Sequence, residues 1–308
     1  MRRFRTISRS GYDRRICGCL LAIMLTGSGL PACAQGKESL AGEMQGVVSS
    51  GLGEWGLSQR FPGAALWLDL EDGARTLALF WPETEIPARG ALIILADEGE
   101  NAESGLAGTL ARELARRKFA VLTLGLEAPG AALEQILERP NPAPEAEPEE
   151  QSPGPTSPAT IDVIGPEAAS ELEAVYRARI LEKFVAGAAE LKEREYKLIA
   201  VVGIGRGSNH VVPYAAELET PSALIWVGPK FYPRDASRLA PALEKASVPR
   251  ILELSSSGEG GQRTAGLKRA RVEGFSLHSV GAGTAFLPRD GKALAGRISA
   301  WLKSDSRQ

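Results

Sequence analysis

The chain has 308 residues, with Lys+Arg 36 against Asp+Glu 38 for a net charge of −2; 44% of the residues are hydrophobic and 24% charged. That balance is ordinary for a globular protein long enough to bury a sizeable core, and it gives no electrostatic reason to expect nucleic acid as a partner. Three cysteines and two histidines exclude most zinc and thiol-based sites, and no metal or cofactor site is expected.

Residues 1–34 read as a signal peptide. Arg2, Arg3, Arg5, Arg9, Arg14 and Arg15 supply a positive leading region. The uncharged run 16–30 is too short and too broken by glycine for a stable membrane anchor. Ala32-Cys33-Ala34 offers small residues before a cut that would leave Gln35 first. In the alternative processing route, Leu30-Pro31-Ala32-Cys33 acts as a lipoprotein box and Cys33 is acylated, the one way this reading places the chain on a membrane. Cleavage after residue 34 removes six arginines and one aspartate and leaves a charge of −7, with every cysteine at or before the cut. The expected product is acidic and either periplasmic or secreted.

Residues 35–62, rich in Gly and Ser, read as a loosely packed lead-in. The apolar runs 64–70 and 75–81 flank Glu71-Asp72-Gly73, a hairpin signal. The continuous apolar run 91–96 suits a strand covered on both faces. Leu106, Leu110 and Leu114 recur at helical spacing and predict a helix over 104–117, with a strand at 119–124. Residues 129–166 carry seven prolines between Pro140 and Pro158 among glutamates, and this composition predicts a disordered acidic loop. A long helix over 167–195 follows, and strands at 197–203, 222–227, 250–254 and 275–280 alternate with helices. Leu294, Ile298, Trp301 and Leu302 mark a terminal helix. The expected architecture is α/β: about eight strands in a mostly parallel sheet, helices on both faces, forming a single domain over 63–308.

This order of elements is similar to the α/β-hydrolase fold across most of 64–303. The resemblance places the nucleophile elbow, G-x-S-x-G, at Gly203-Ile204-Gly205-Arg206-Gly207, so Gly205 stands where the nucleophile would. It places Thr284 in the histidine slot, leaves Glu259 as the one occupant for the acid position, and puts Asp97-Glu98-Gly99 in the oxyanion loop. Threonine is no base near neutral pH, and carboxylates in an oxyanion loop oppose the transition state. More narrowly, the stretch Gly90 to Gly99 (GALIILADEG), the elbow without serine, the Pro-rich interruption and the closing RISAWL resemble an uncharacterised bacterial family of exported α/β-hydrolase-like proteins. Glycine at the elbow is habitual in that family, and no activity comes with the resemblance.

Other residues carry side chains capable of chemistry. Ser208 and His210 lie two apart, a spacing that does not face them on a helix, and helix-start capping suits Ser208. His278 inside a strand reads as a packed, hydrogen-bonded histidine. Asp97, Glu98, Glu100 and Glu103 read as a solvated acidic loop without calcium-loop spacing. The glycines 203, 205 and 207 fail a dinucleotide fingerprint, for Ser208 stands at the third position. Arg263, Lys268, Arg269 and Arg271 read as a solvated basic face. The leading expectation is a non-catalytic binding or scaffold protein, taking a small molecule or an envelope protein in a pocket around Asp97, Gly205, Arg206 and Thr284 or through the Pro-rich loop. The competing one is a hydrolase in which Asp97, Glu98 or Glu259 activates water. A third is a structural envelope lipoprotein anchored through Cys33.

Overall fold

A computed structural model describes residues 53–140, 165–217, 223–246, 248–256, 260–281 and 285–303. The signal segment, Cys33, Glu259 and Thr284 lie outside these residues, as does the part of the Pro-rich stretch from 141 to 164.

Eight strands form one sheet in the order β1-β2-β4-β3-β5-β6-β7-β8. The hairpin is β1 (Ala65–Asp69) with β2 (Arg75–Trp81), closed at Gly73, whose φ of 78° favours glycine. Strand β2 also runs antiparallel to β4 (Ala120–Leu126). All later pairings are parallel: β3 (Ala91–Glu98), β5 (Leu198–Ile204), β6 (Ala223–Val227), β7 (Ile251–Ser255) and β8 (Phe275–Ser279). Residues 91–96 of β3 are fully enclosed, as a continuous apolar run at a sheet centre requires.

Helices cover both faces. On one, Leu110 and Leu114 of α2 (Ala107–Ala115) meet Leu294, Ile298 and Trp301 of the last helix, Gly291–Lys303. On the other lies α4 (Pro166–Glu193), burying Ile180, Phe184 and Leu191 beside Tyr214 of α5 (Ser208–Glu217). The Phe184 and Tyr214 rings stack with centroids 4.4 Å apart.

Two expectations change. The interruption begins later than 129, because α3 (Ala131–Leu137) occupies its first third and buries Leu133 and Leu137 against Tyr232. These leucines lie four apart, a one-turn signal overshadowed by the prolines that follow. The lead-in ends in a helix, α1 (Glu54–Arg60), whose buried Glu54 accepts hydrogen bonds from Thr76 Oγ1 and Leu77 N–H at 2.9 and 3.1 Å. Between β7 and β8 lies α8 (Gly261–Arg269), with Gly260 in the left-handed region as its N-cap. The structure also adds a four-residue helix, α6 (Pro233–Ala236), before α7 (Leu239–Ala246).

Replacing Phe184 with alanine removes a fully buried ring and its stack. Urea unfolding should register a loss of about 3–5 kcal/mol.

Candidate functional site: the elbow crevice

Sheet order reverses between β3 and β5: the chain leaves β3 for β4 on one side and later adds β6 to β8 on the other. A crevice opens at the carboxyl ends of strands at such a point. Here β5 ends at Ile204, residues 205–207 form one tight turn, and α5 starts at Ser208. The turn's geometry dictates its composition. A Cβ on Gly203 would stand 2.7 Å from Ser208 Cα, and one on Gly207 would stand 2.5 Å from the Ala96 carbonyl oxygen. Gly205 has φ +53°, and a Cβ there would overlap the Asp97 carboxylate.

That carboxylate is the centre of the site. Asp97 Oδ1 accepts the backbone N–H of Arg206 at 2.7 Å and that of Glu98 at 2.9 Å. Arg206 follows the elbow's central residue, and Glu98 belongs to the segment after the strand core of β3. Asp97 Oδ2 lies 3.8 Å from Lys230 Nζ, an exposed pair of modest worth.

The turn is stapled from outside by Asn209. Its amide donates to the carbonyls of Arg206 (2.6 Å) and Lys230 (3.0 Å), and its oxygen accepts the Tyr232 N–H at 2.9 Å. The Tyr232 hydroxyl donates to Glu98; burial, and then that bond, push its pKa above the ordinary tyrosine value. The Arg206 guanidinium lies over the Tyr232 ring at 4.3 Å and pairs with Glu138. Glu98 and Arg206 are therefore drawn into the wall rather than the cavity.

The cavity beside the elbow encloses about 300 Å³. Asp97, Gly205, Lys230, Ser256 and Arg263 line it, with Ile204, Val227 and Phe286 among its apolar walls. Asp97 and Gly205 thus come together as the sequence places them. Asn209, Lys230, Tyr232 and Ser256 carry no periodic or motif signal and were not singled out for the site.

Among the described residues, no hydrogen bond joins the hydroxyl and imidazole candidates. Ser208 does not cap its helix; its Oγ donates to the Gly203 carbonyl at 3.1 Å, because the sharp turn folds that oxygen over the first helical residue. His210 is buried in α5, edge-on to Tyr176 at 5.6 Å, and its Nε2 has no partner among the described residues. His278 sits on β8, and its Nδ1 also lacks a partner among those residues.

The acidic loop is folded rather than solvated. Glu103 pairs with Arg112, and Asn101 Oδ1 accepts the N–H groups of Glu103 and Ser104. Half-buried Glu100 has its pKa raised by burial and then by the charge of Asp97. No group of three His, Cys, Asp or Glu suited to a metal occurs among the described residues.

An antiparallel lead-in to a parallel sheet, with a strand–turn–helix elbow on a central strand, defines the α/β-hydrolase fold. A family model described as "Protein of unknown function (DUF3530)" matches residues 56–271, and the chain belongs to that family. Est1E from Butyrivibrio proteoclasticus shares the fold at 12% identity and a TM-score of 0.53, over 80% of this chain and 100% of that one. Dienelactone hydrolase from Anabaena variabilis does so at 14% identity and a TM-score of 0.50, over 78% of this chain and 96% of that one. No curated protein matches the chain.

Two outcomes are expected. Asp97→Ala leaves two N–H groups without their acceptor and should lower the unfolding free energy by about 1–3 kcal/mol in urea. Burial, then the Arg177 charge, lowers the His210 pKa from 6.5 to about 3. Its folded-state value lies below the unfolded one, so the folded imidazole stays neutral while the unfolded one charges. NMR should therefore show no His210 titration between about pH 7 and 4.5, a window above its lowered value.

Proposed function

We propose that this chain is an exported, non-hydrolytic member of the fold that binds a small molecule beside the elbow. One observation carries the reading: the carboxylate of Asp97 sits on the N–H of Arg206 and the N–H of Glu98. In an acyl-transfer enzyme of this fold, the residue after the nucleophile and the loop after the third strand supply the donors for the oxyanion. Here the Asp97 carboxylate takes those donors, and the space a nucleophilic side chain would need is filled by the same group. A reaction that generates a second negative charge at that point would be opposed electrostatically. The arginine-rich start, the uncharged run and Ala32-Cys33-Ala34 support export with cleavage after residue 34; acylation of Cys33 is the other route.

Among the described residues, the alternative of a carboxylate-activated water rests on Asp97, because Glu98 is held by Tyr232, while Glu259 lies outside them. The purified chain should resist a fluorophosphonate probe and hydrolyse 4-nitrophenyl acetate no faster than its Asp97→Asn variant. Turnover that disappears in Asp97→Asn would establish the hydrolase instead. Mass spectrometry of the native N-terminus should find Gln35 first, and a diacylated Cys33 would replace periplasmic release with membrane anchoring.

A further inference from the structure

The sheet has two edges, and they are unlike. Strand β8 closes the order on one side and carries Ser276, His278 and Ser279 among its five residues. Strand β1 closes it on the other with Ala-Leu-Trp-Leu-Asp, and among the described residues β2 is its one strand neighbour. Bonds from Phe80 N–H to the Ala64 carbonyl (2.7 Å) and from Leu70 N–H to the Ala74 carbonyl (2.9 Å) fix which residues of β1 face β2. Counting in twos along that register, Leu66 and Leu68 exchange bonds with Ala78 and Thr76, so the N–H and C=O of Trp67 and Asp69 point away from the sheet. The β1–β2 register has no bulge, and β1 holds neither proline nor lysine, the devices that ordinarily keep such an edge from pairing.

Apolar surface gathers on both sides of this edge. On the α1 side, half-buried Trp67 lies 6.4 Å from the ring of exposed Trp55. On the α4 side, half-buried Leu66 packs beside buried Leu68, and a groove of about 360 Å³ opens between the end of β1 and α4. Leu70, Ala178, Leu181 and exposed Val185 line that groove together with Glu71 and Glu182, whose charges disfavour an acidic occupant.

We infer that β1 is the interface with a second copy of this chain, the two strands pairing antiparallel about a two-fold axis at Trp67 to form one continuous sheet. The sequence of the strand selects that occupant. Leucine flanks Trp67 on either side, so the axis sets Leu66 of each copy opposite Leu68 of the other, at the mouth of the groove, and Trp67 opposite Trp67. The outward groups of the two Trp67 residues bond each other, and each Asp69 N–H reaches the Ala65 carbonyl of the other copy. The Ala65 N–H is not needed, for it already donates to the Phe61 carbonyl at 2.9 Å. Charge agrees with this register. The Asp69 side chain, 81% exposed, shares the α1 side with Ala65 and Trp67 and stands opposite Ala65 of the other copy. Beside that Ala65 is the end of α1, where exposed Arg60 lies over the Phe61 ring at 5.3 Å. Each Asp69 thus meets the Arg60 of the other copy, twice over by symmetry. A five-residue ladder alone is marginal, and the paired tryptophans and grooves are the apolar surface that such an interface requires besides it.

Light scattering on the mature chain, from Gln35 onward, should give twice the chain mass at micromolar concentration. Arg60→Glu should weaken association about tenfold, and adding Asp69→Arg to the same chain should restore it, with the circular dichroism of both variants matching the parent. Cysteine tests the register, because the chain from Gln35 onward contains none. On oxidation neither Ala65→Cys nor Asp69→Cys should cross-link by itself, whereas an equal mixture of the two should, since only residues 65 and 69 come within disulfide reach across the axis. A monomer at every concentration, an Arg60→Glu variant that associates as the parent does, or a single cysteine variant that cross-links as readily as the mixture would overturn the inference.

Discussion

A carboxylate held by two backbone N–H groups at the end of β3 is the constraint around which the crevice is arranged. Backbone donors at a strand–turn–helix junction form a concentrated positive site, and an anion placed on them is stabilised by aligned dipoles as well as by the bonds themselves. In this chain the anion is part of the protein: Asp97 Oδ1 lies 2.7 Å from Arg206 N and 2.9 Å from Glu98 N. Residues 97 and 205 are therefore one unit. The left-handed φ of Gly205 favours glycine, and the carboxylate filling the space above it leaves no room for a Cβ.

The polar groups next to this unit are consumed in holding it. Asn209 ties the turn to Lys230 and Tyr232, Tyr232 holds Glu98, and Arg206 folds onto Tyr232 and Glu138. Each satisfied partner stiffens the wall, because leaving any one of them buried and unpaired would cost more than its bond contributes. Across the cavity, the Arg263 guanidinium is held by buried Glu253, and Ser256 Oγ has no partner among the described residues.

Much of this was legible in the residues. Apolar runs of strand length separated by 3.6-period segments locate all eight strands, and the hairpin signal at Glu71-Asp72-Gly73 sets the antiparallel edge. Gly203 and Gly207 could be read as close approaches, which the structure supplies at Ser208 Cα and the Ala96 carbonyl. The sign of the charge at Asp97 was also legible, as an obstacle to an oxyanion. What pattern cannot convey is where the carboxylate points, since that depends on two strands adjacent in the sheet but more than 100 positions apart in the chain. Asn209 and Ser256 stayed hidden for the same reason: one satisfied or unsatisfied polar atom leaves no periodicity. Helix α3 was lost because a composition argument was carried too far toward its N-terminal edge, where Leu133 and Leu137 already obey a helical spacing.

The same geometry sets how far this site stands from acyl-transfer chemistry. A hydroxyl at residue 205 would meet the Asp97 carboxylate, so the substitution that restores a nucleophile also requires the occupant of the backbone donors to leave. A base would be needed as well, and His210 is of no use as it stands. It is enclosed in α5 behind Tyr176, and burial keeps it neutral far below physiological pH, which makes it a poor proton acceptor as well as an inaccessible one. Residue 97, residue 205 and an imidazole in reach would have to change together, and the first change alone strips two donors of their partner. The neighbouring cavity of about 300 Å³ exists without any of these changes. On the proposed reading, the Asp97 bond that blocks the chemistry also holds this end of the cavity in shape, so the loss of catalysis and the retention of a pocket follow from a single contact.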